Sequence, residues 1–212
     1  MPLMGVGREE IVGLVVVASF AAGLNVYATA GTLGLLAHFG VIALPQSLHL
    51  LTTWPIIVAA AVLFVIELVA DKIPAFDLLW NALHTFIRVP IAALMSYAAT
   101  AQLSPAAQIV AAVAGGSIAL VAHGGKTAIR AAVTPSPEPV SNIALSAAED
   151  TLAIGLTWFA TRHPYIAAAI VAVLLVLLIV CIRMLWRALK RLFRGAKREA
   201  EALQHRALPR AS

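Results

Sequence analysis

Two carboxylates, Glu67 and Asp71, close an apolar run that begins at Trp54. Four residues apart, they share one face of a helix. Lys72 and Asp77 follow within Glu67-Leu-Val-Ala-Asp-Lys-Ile-Pro-Ala-Phe-Asp77. A charge at the centre of a bilayer costs about 2.5–3.5 kcal/mol on insertion scales, so an acid there needs a partner, water or a task. Three more groups have the same character: His84 with Arg88, then His123, Lys126 and Arg130, then Glu149 and Asp150.

These residues allow three kinds of chemistry. An ion-pair network could fix how helices meet, since buried charges persist only when paired. A proton- or ion-coupled pathway could run along them, as intramembrane carboxylates mark such routes. Acids at i, i+4 with a histidine could also hold a divalent cation for an enzyme acting on lipid or phosphate head groups. No nucleophile elbow, P-loop, zinc-protease motif or dinucleotide fingerprint is present in the sequence, and no cofactor is evident beyond that divalent cation.

The elements that must position these residues are membrane helices. Of 212 residues, 61% are hydrophobic and 12% charged, the latter about half the usual ~25% of soluble chains. The fold class expected is all-α: a polytopic membrane helix bundle of about six spans, 11–39, 54–73, 89–103, 105–122, 143–160 and 165–182. Residues 1–182 make one transmembrane domain and 183–212 a basic amphipathic cytoplasmic tail. A signal peptide over Ile11–Ala22 is set aside, because Arg8 faces Glu9 and Glu10 and the apolar sequence continues to Phe39.

Span one holds Gly23-Leu-Asn-Val-Tyr27. The simpler reading is one long tilted helix with packing glycines. The sharper one is a helix unwound at Gly23–Asn25, which would free backbone groups for a ligand and add Asn25 and Tyr27 to the site. Between spans two and three, Asp77, Asn81, His84 and Arg88 form a polar stripe opposite Phe76, Leu79, Trp80, Leu83 and Ile87. This reads as a short interfacial helix over 74–88 with a solvated polar face. Span four is expected to continue out of the membrane through His123, Lys126 and Arg130. Thr134–Pro139 reads as an exposed loop, and Asn142 as the N-cap of span five. A 3+3 inverted repeat is suggested by glycine interruptions in spans one and four and by paired acids in spans two and five.

The pI of 9.9 does not point to nucleic acid, because Arg183, Arg187, Lys190, Arg191, Arg194, Lys197 and Arg198 directly follow the last apolar run. They read as a basic amphipathic helix on anionic lipid. A lone cysteine, Cys181, rules out an intrachain disulfide. The basic residues place both termini in the cytoplasm of an inner-membrane protein. A homo-oligomer is compatible with this.

Three motifs carry a resemblance: Gly-Leu-Asn-Val-Tyr-Ala-Thr at 23–29, the stretch 67–77, and Ser-Pro-Glu-Pro-Val-Ser-Asn with Ser-Ala-Ala-Glu-Asp at 136–150. The chain resembles an uncharacterised integral-membrane family, a domain of unknown function found mainly in bacteria. The resemblance implies that the charged motifs are family features and brings no activity with it. From the residues themselves, the first functional expectation is passage of a small ion or polar solute. Glu67 and Asp71 would bind or couple, and Lys126 and Arg130 would balance them. The head-group enzyme and a non-catalytic scaffold are the alternatives.

Overall fold

The structure, a computed structural model, describes residues 8–71, 74–133 and 139–207. Within these, 8–10, 74–78, 132–133, 139–142, 192 and 195–207 are described by backbone alone. The described residues are helical, with no strand among them: α1 Arg8–Leu24, α2 Val26–His38, a 3-10 helix Gln46–Thr52, α3 Trp54–Ala70, α4 Pro74–Ala99, α5 Pro105–Val133, α6 Pro139–Ala160 and α7 Pro164–Ala207. Lys72 and most of the loop expected at 134–139 lie outside the described residues.

Leu79–Ala99, Pro105–Ala131, Ile143–Ala160 and Pro164–Arg191 are each long and apolar enough to cross a membrane. Gln46–Thr52 and Trp54–Ala70, bent by 63°, make a fifth if the bent pair is one span. Large apolar side chains such as Val58, Val62, Phe86, Leu94, Val110 and Val173 face outward. Among the described residues, the five largest fully buried side chains are Arg88, Arg130, Lys126, His123 and Glu67. That inversion, apolar outside and charged inside, suits a chain solvated by lipid.

The first expected span is two helices. Asn25 adopts an extended backbone, φ −151° and ψ 104°, and its side chain accepts from the Ala28 amide at 2.9 Å to cap α2. Asparagine favours such a cap over the helix interior. Neighbours along the pair show its course. A Cβ on Gly13 would lie 3.0–3.1 Å from Pro164, at the start of α7. Ser19 meets Ser96 at 2.9 Å, and the Leu24 carbonyl accepts from Lys126 at 3.2 Å. Then α2 runs back. Gly31 faces Ala60, Gly34 faces Leu51, and His38 Nδ1 meets the Thr52 carbonyl at 2.8 Å. Ser47, just beyond, donates to the Ala98 carbonyl at 2.6 Å. So α1 begins and α2 finishes at the end of the bundle that holds the α4–α5 and α6–α7 turns. The pair is a re-entrant hairpin with its tip at Asn25. The single tilted helix gives way to the broken one.

From there α3 descends, α4 ascends, α5 descends, α6 ascends and α7 descends. These helices alternate in direction, so the start of α1 and the end of α7 lie at opposite ends of the bundle. Six alternating spans would have put them at the same end; the difference arises because the first segment turns back. The inverted repeat loses its support too, since α5 runs unbroken where a counterpart of the α1–α2 break would be.

The interfacial helix expected over 74–88 is the first half of α4, which continues through Pro90. A proline inside a helix costs about 3 kcal/mol or more. Against it stands the burial of Asn81, His84 and Arg88, which need the partners that an unbroken α4 brings them. Asn81, His84 and Arg88 of the stripe expected to be solvated face inward. Asn142 lies inside α6, which Pro139 opens, so it is not the N-cap. A proline suits a helix's first turn, where its missing N–H has no helical partner. The basic tail is no separate surface helix. From Tyr165 to Arg194 there is neither proline nor glycine, so nothing stops α7, 44 residues in all. At about 1.5 Å per residue it is about 66 Å long, twice a ~30 Å hydrocarbon core.

Candidate functional site

Where the chain reverses at Asn25, carbonyls near the end of α1 lose their helical donors. Two cations supply replacements. Arg88 Nη1 donates to the Gly23 carbonyl at 3.5 Å, and Lys126 Nζ to that of Leu24 at 3.2 Å. Both cations also hold Glu67. Arg88 Nη2 bonds its Oε1, and Lys126 Nζ lies 3.3 Å from the same oxygen. Glu67 thus ties the end of α3 to α4, α5 and the hairpin tip. Gly23 makes this possible by its size: a Cβ there would sit 2.6 Å from the Ala119 carbonyl.

One turn further along α5, Arg130 donates to Asp71 Oδ2 at 2.8 Å and to Glu149 Oε2 at 2.5 Å. Lys126 also approaches Asp71 at 3.6 Å and Glu149 at 3.2 Å. Ser146 donates to Asp71 at 3.1 Å. The acidic face of α3 and the basic face of α5 therefore meet, as charges at one depth in low dielectric must if neither is to be stranded.

The histidines sit at the edge of this network. Arg88 Nη1 donates to His123 Nδ1 at 3.0 Å, so the ring proton lies on Nε2. Nε2 meets the Asn81 carbonyl and Thr85 Oγ1, each at 2.9 Å. His84 pairs with the Tyr27 hydroxyl at 3.0 Å and, through Nδ1, with the Trp80 carbonyl at 2.8 Å. Asp150, beside Glu149, accepts from Asn25 Nδ2 at 2.9 Å.

So Asn25, Tyr27, Glu67, Asp71, His84, His123, Lys126, Arg130, Glu149 and Asp150 converge around the hairpin tip. Lys72 lies outside the described residues, and for Asp77 only the backbone is described. Sequence reasoning grouped Arg88 with the other charges but gave it no role in binding or coupling, yet it is the pivot. Its signal was the stripe Asn81, His84, Arg88, which in lipid points toward a protein interior. Ser146 carried no signal beyond standing one turn before Asp150.

At the other end of the bundle lies a cavity of about 510 Å³, walled mainly by apolar side chains of α1, α4 and the 41–48 segment. Its polar lining residues are Ser19, Ser96, Gln102, Thr157, Thr161 and Arg162. Ala92 lines it too, and packs with Ala22, Val26 and Ala119 in a buried layer of mostly small side chains. Arg88 stands one helical turn past Ala92, on the far side of that layer.

The profile of a domain of unknown function, DUF4126, matches residues 12–184. The chain belongs to this family. The match takes in the hairpin, the charge network and the apolar part of α7, and it stops at the basic stretch. No curated protein and no solved structure matches the chain.

Proposed function

We propose that this multi-pass membrane protein moves a small ion or polar solute. The observation that carries the reading is the hairpin tip: a helix broken inside a buried charge network, one small-residue layer away from a cavity. Broken helices whose freed carbonyls face charged groups are how transporters build sites within the membrane. In this reading the cavity is a vestibule, and the layer of Ala22, Ala92 and Ala119 is the closed gate between it and the network.

Depth supports the same reading. Gly125 packs on Leu178, about 21 Å along α7 from Pro164 by the helical rise. The network then sits about two thirds of the way across a ~30 Å core. With the basic end of α7 in the cytoplasm, on anionic lipid, the vestibule opens to the outer face of an inner membrane. The start of α1 is outside as well. The head-group enzyme needs Asp71, Asp77 and His84 together; Asp71 is bound to Arg130 and Ser146, His84 is bound to Tyr27, and for Asp77 only the backbone is described. The scaffold draws support from the close pairing of Glu67, Asp71 and Glu149.

The test is charge movement in proteoliposomes on a solid-supported membrane, challenged in turn with steps of protons, sodium, potassium, chloride and phosphate. Wild type should give a current above protein-free liposomes for at least one of them. Ala92→Phe, which fills the gate layer, should abolish it. No current from any of these ions, or an unchanged current in Ala92→Phe, overturns the reading.

A further inference from the structure

Among the described side chains the network holds four carboxylates, Glu67, Asp71, Glu149 and Asp150, and three cations, Arg88, Lys126 and Arg130. The first three carboxylates each pair with two cations. Among the described residues Asp150 makes no ion pair. It is 6% exposed, one oxygen takes the Asn25 amide at 2.9 Å, and no described residue bonds to Oδ2. The charged groups that act on it are Lys126 from α5 and Glu67 and Asp71 from α3, with Glu149 adjoining on α6. From the α1–α2 hairpin the neutral Asn25 bonds to it. The stretch of α7 that packs nearby, Ala167–Leu178, carries no charge.

The geometry points to Asp150 as a proton-binding site, and its proton as the ion that couples to movement of the hairpin. This deepens the transport reading and rests on it. Two costs decide the state of Asp150. A buried carboxylate with no cation costs several kcal/mol, whereas a neutral hydroxyl lacking one acceptor costs about 1–3 kcal/mol. The closed arrangement therefore holds the acid form. A proton from water adds to Oδ2, and release returns it to water.

Asn25 links this proton to the moving part. The same amide side chain that meets Asp150 caps α2 and forms the hinge between α1 and α2. Once deprotonated, Asp150 becomes a fourth anion competing for Lys126, which also holds the Leu24 carbonyl. Loss of the proton thus pulls on both sides of the tip. Glu67 and Asp71, expected from sequence to couple, act here as the fixed anions that keep the cations in place.

Infrared spectroscopy of the full chain in liposomes tests this directly. Wild type should show a protonated-carboxyl C=O band that disappears as pH rises. Asp150→Asn should remove the band, and Glu149→Gln should keep it. Asn25→Ala should keep the band but shift it, since the donor to Oδ1 is gone; this readout stands even if Asp150→Asn does not fold. Absence of the band in wild type, its survival in Asp150→Asn, or an unmoved band in Asn25→Ala overturns the assignment. The two readings fail separately: a band without ion currents sinks transport alone, and currents without the band sink the proton site alone.

Discussion

Arg88 has no exposed surface and three claims on it: Glu67, His123 and the Gly23 carbonyl. Replacing one member of such a set leaves the others charged and dry. Glu67→Gln should therefore cost about 3–5 kcal/mol, read as a fall in the unfolding midpoint in detergent. Adding Arg88→Met removes one stranded cation and should restore part of the loss. A double variant as unstable as the sum of its singles would contradict the pairing. Sequence made the carboxylate half of this legible, because acids inside an apolar run need partners. It hid the role of Arg88, because the stripe that carries it has the same spacing whether it faces water or the bundle. Only the packing of α4 against α5 decides which.

For single elements, the outcome turns on close approach and on what can stop a helix. At Gly23 an added methyl meets the backbone of Ala119, which cannot swing aside, whereas at Gly124 nothing lies within 4 Å. Gly23→Ala should cost about 1–3 kcal/mol by overpacking. Gly124→Ala should be neutral or gain about 0.5–1 kcal/mol through lost chain entropy. Thermal unfolding of the two variants side by side checks the contrast, and equal effects would mean that α1 does not rest on α5. The glycine and asparagine of 23–25 were visible as a candidate break. That the chain turns back there was not, since it depends on where α2 finds α3. Pro90 stands where the interfacial helix over 74–88 and the span over 89–103 were expected to part. Proline is a strong local breaker, yet the buried bonds of α4 outweigh it. In α7 the change from apolar to basic looked like an element boundary, although composition alone does not end a helix.

The whole molecule is a bundle whose packing ends before its last helix does. Ala167 and Val171 are buried and Leu174, Leu175 and Leu178 pack on the core, but Arg183, Met184, Trp186 and Arg187 are exposed. Ending the chain after Arg187 should leave the unfolding midpoint unchanged, and loss of the folded protein would show that the basic stretch is structural. The helical membrane class was plain from composition, because only a lipid solvent tolerates so few charges. Topology was not, because hydropathy counts apolar lengths and cannot tell a span from a hairpin that returns to its own side. The central claim, that α1–α2 re-enters rather than crosses, is tested most directly by cysteine accessibility. With Cys181→Ser as background, single cysteines at Glu9, Gln102 and Arg187 are treated in intact cells with a membrane-impermeant thiol reagent. Glu9→Cys and Gln102→Cys should label together from outside, and Arg187→Cys only after the membrane is opened. Labelling of Glu9→Cys only with Arg187→Cys would make the first segment a full span and contradict the account.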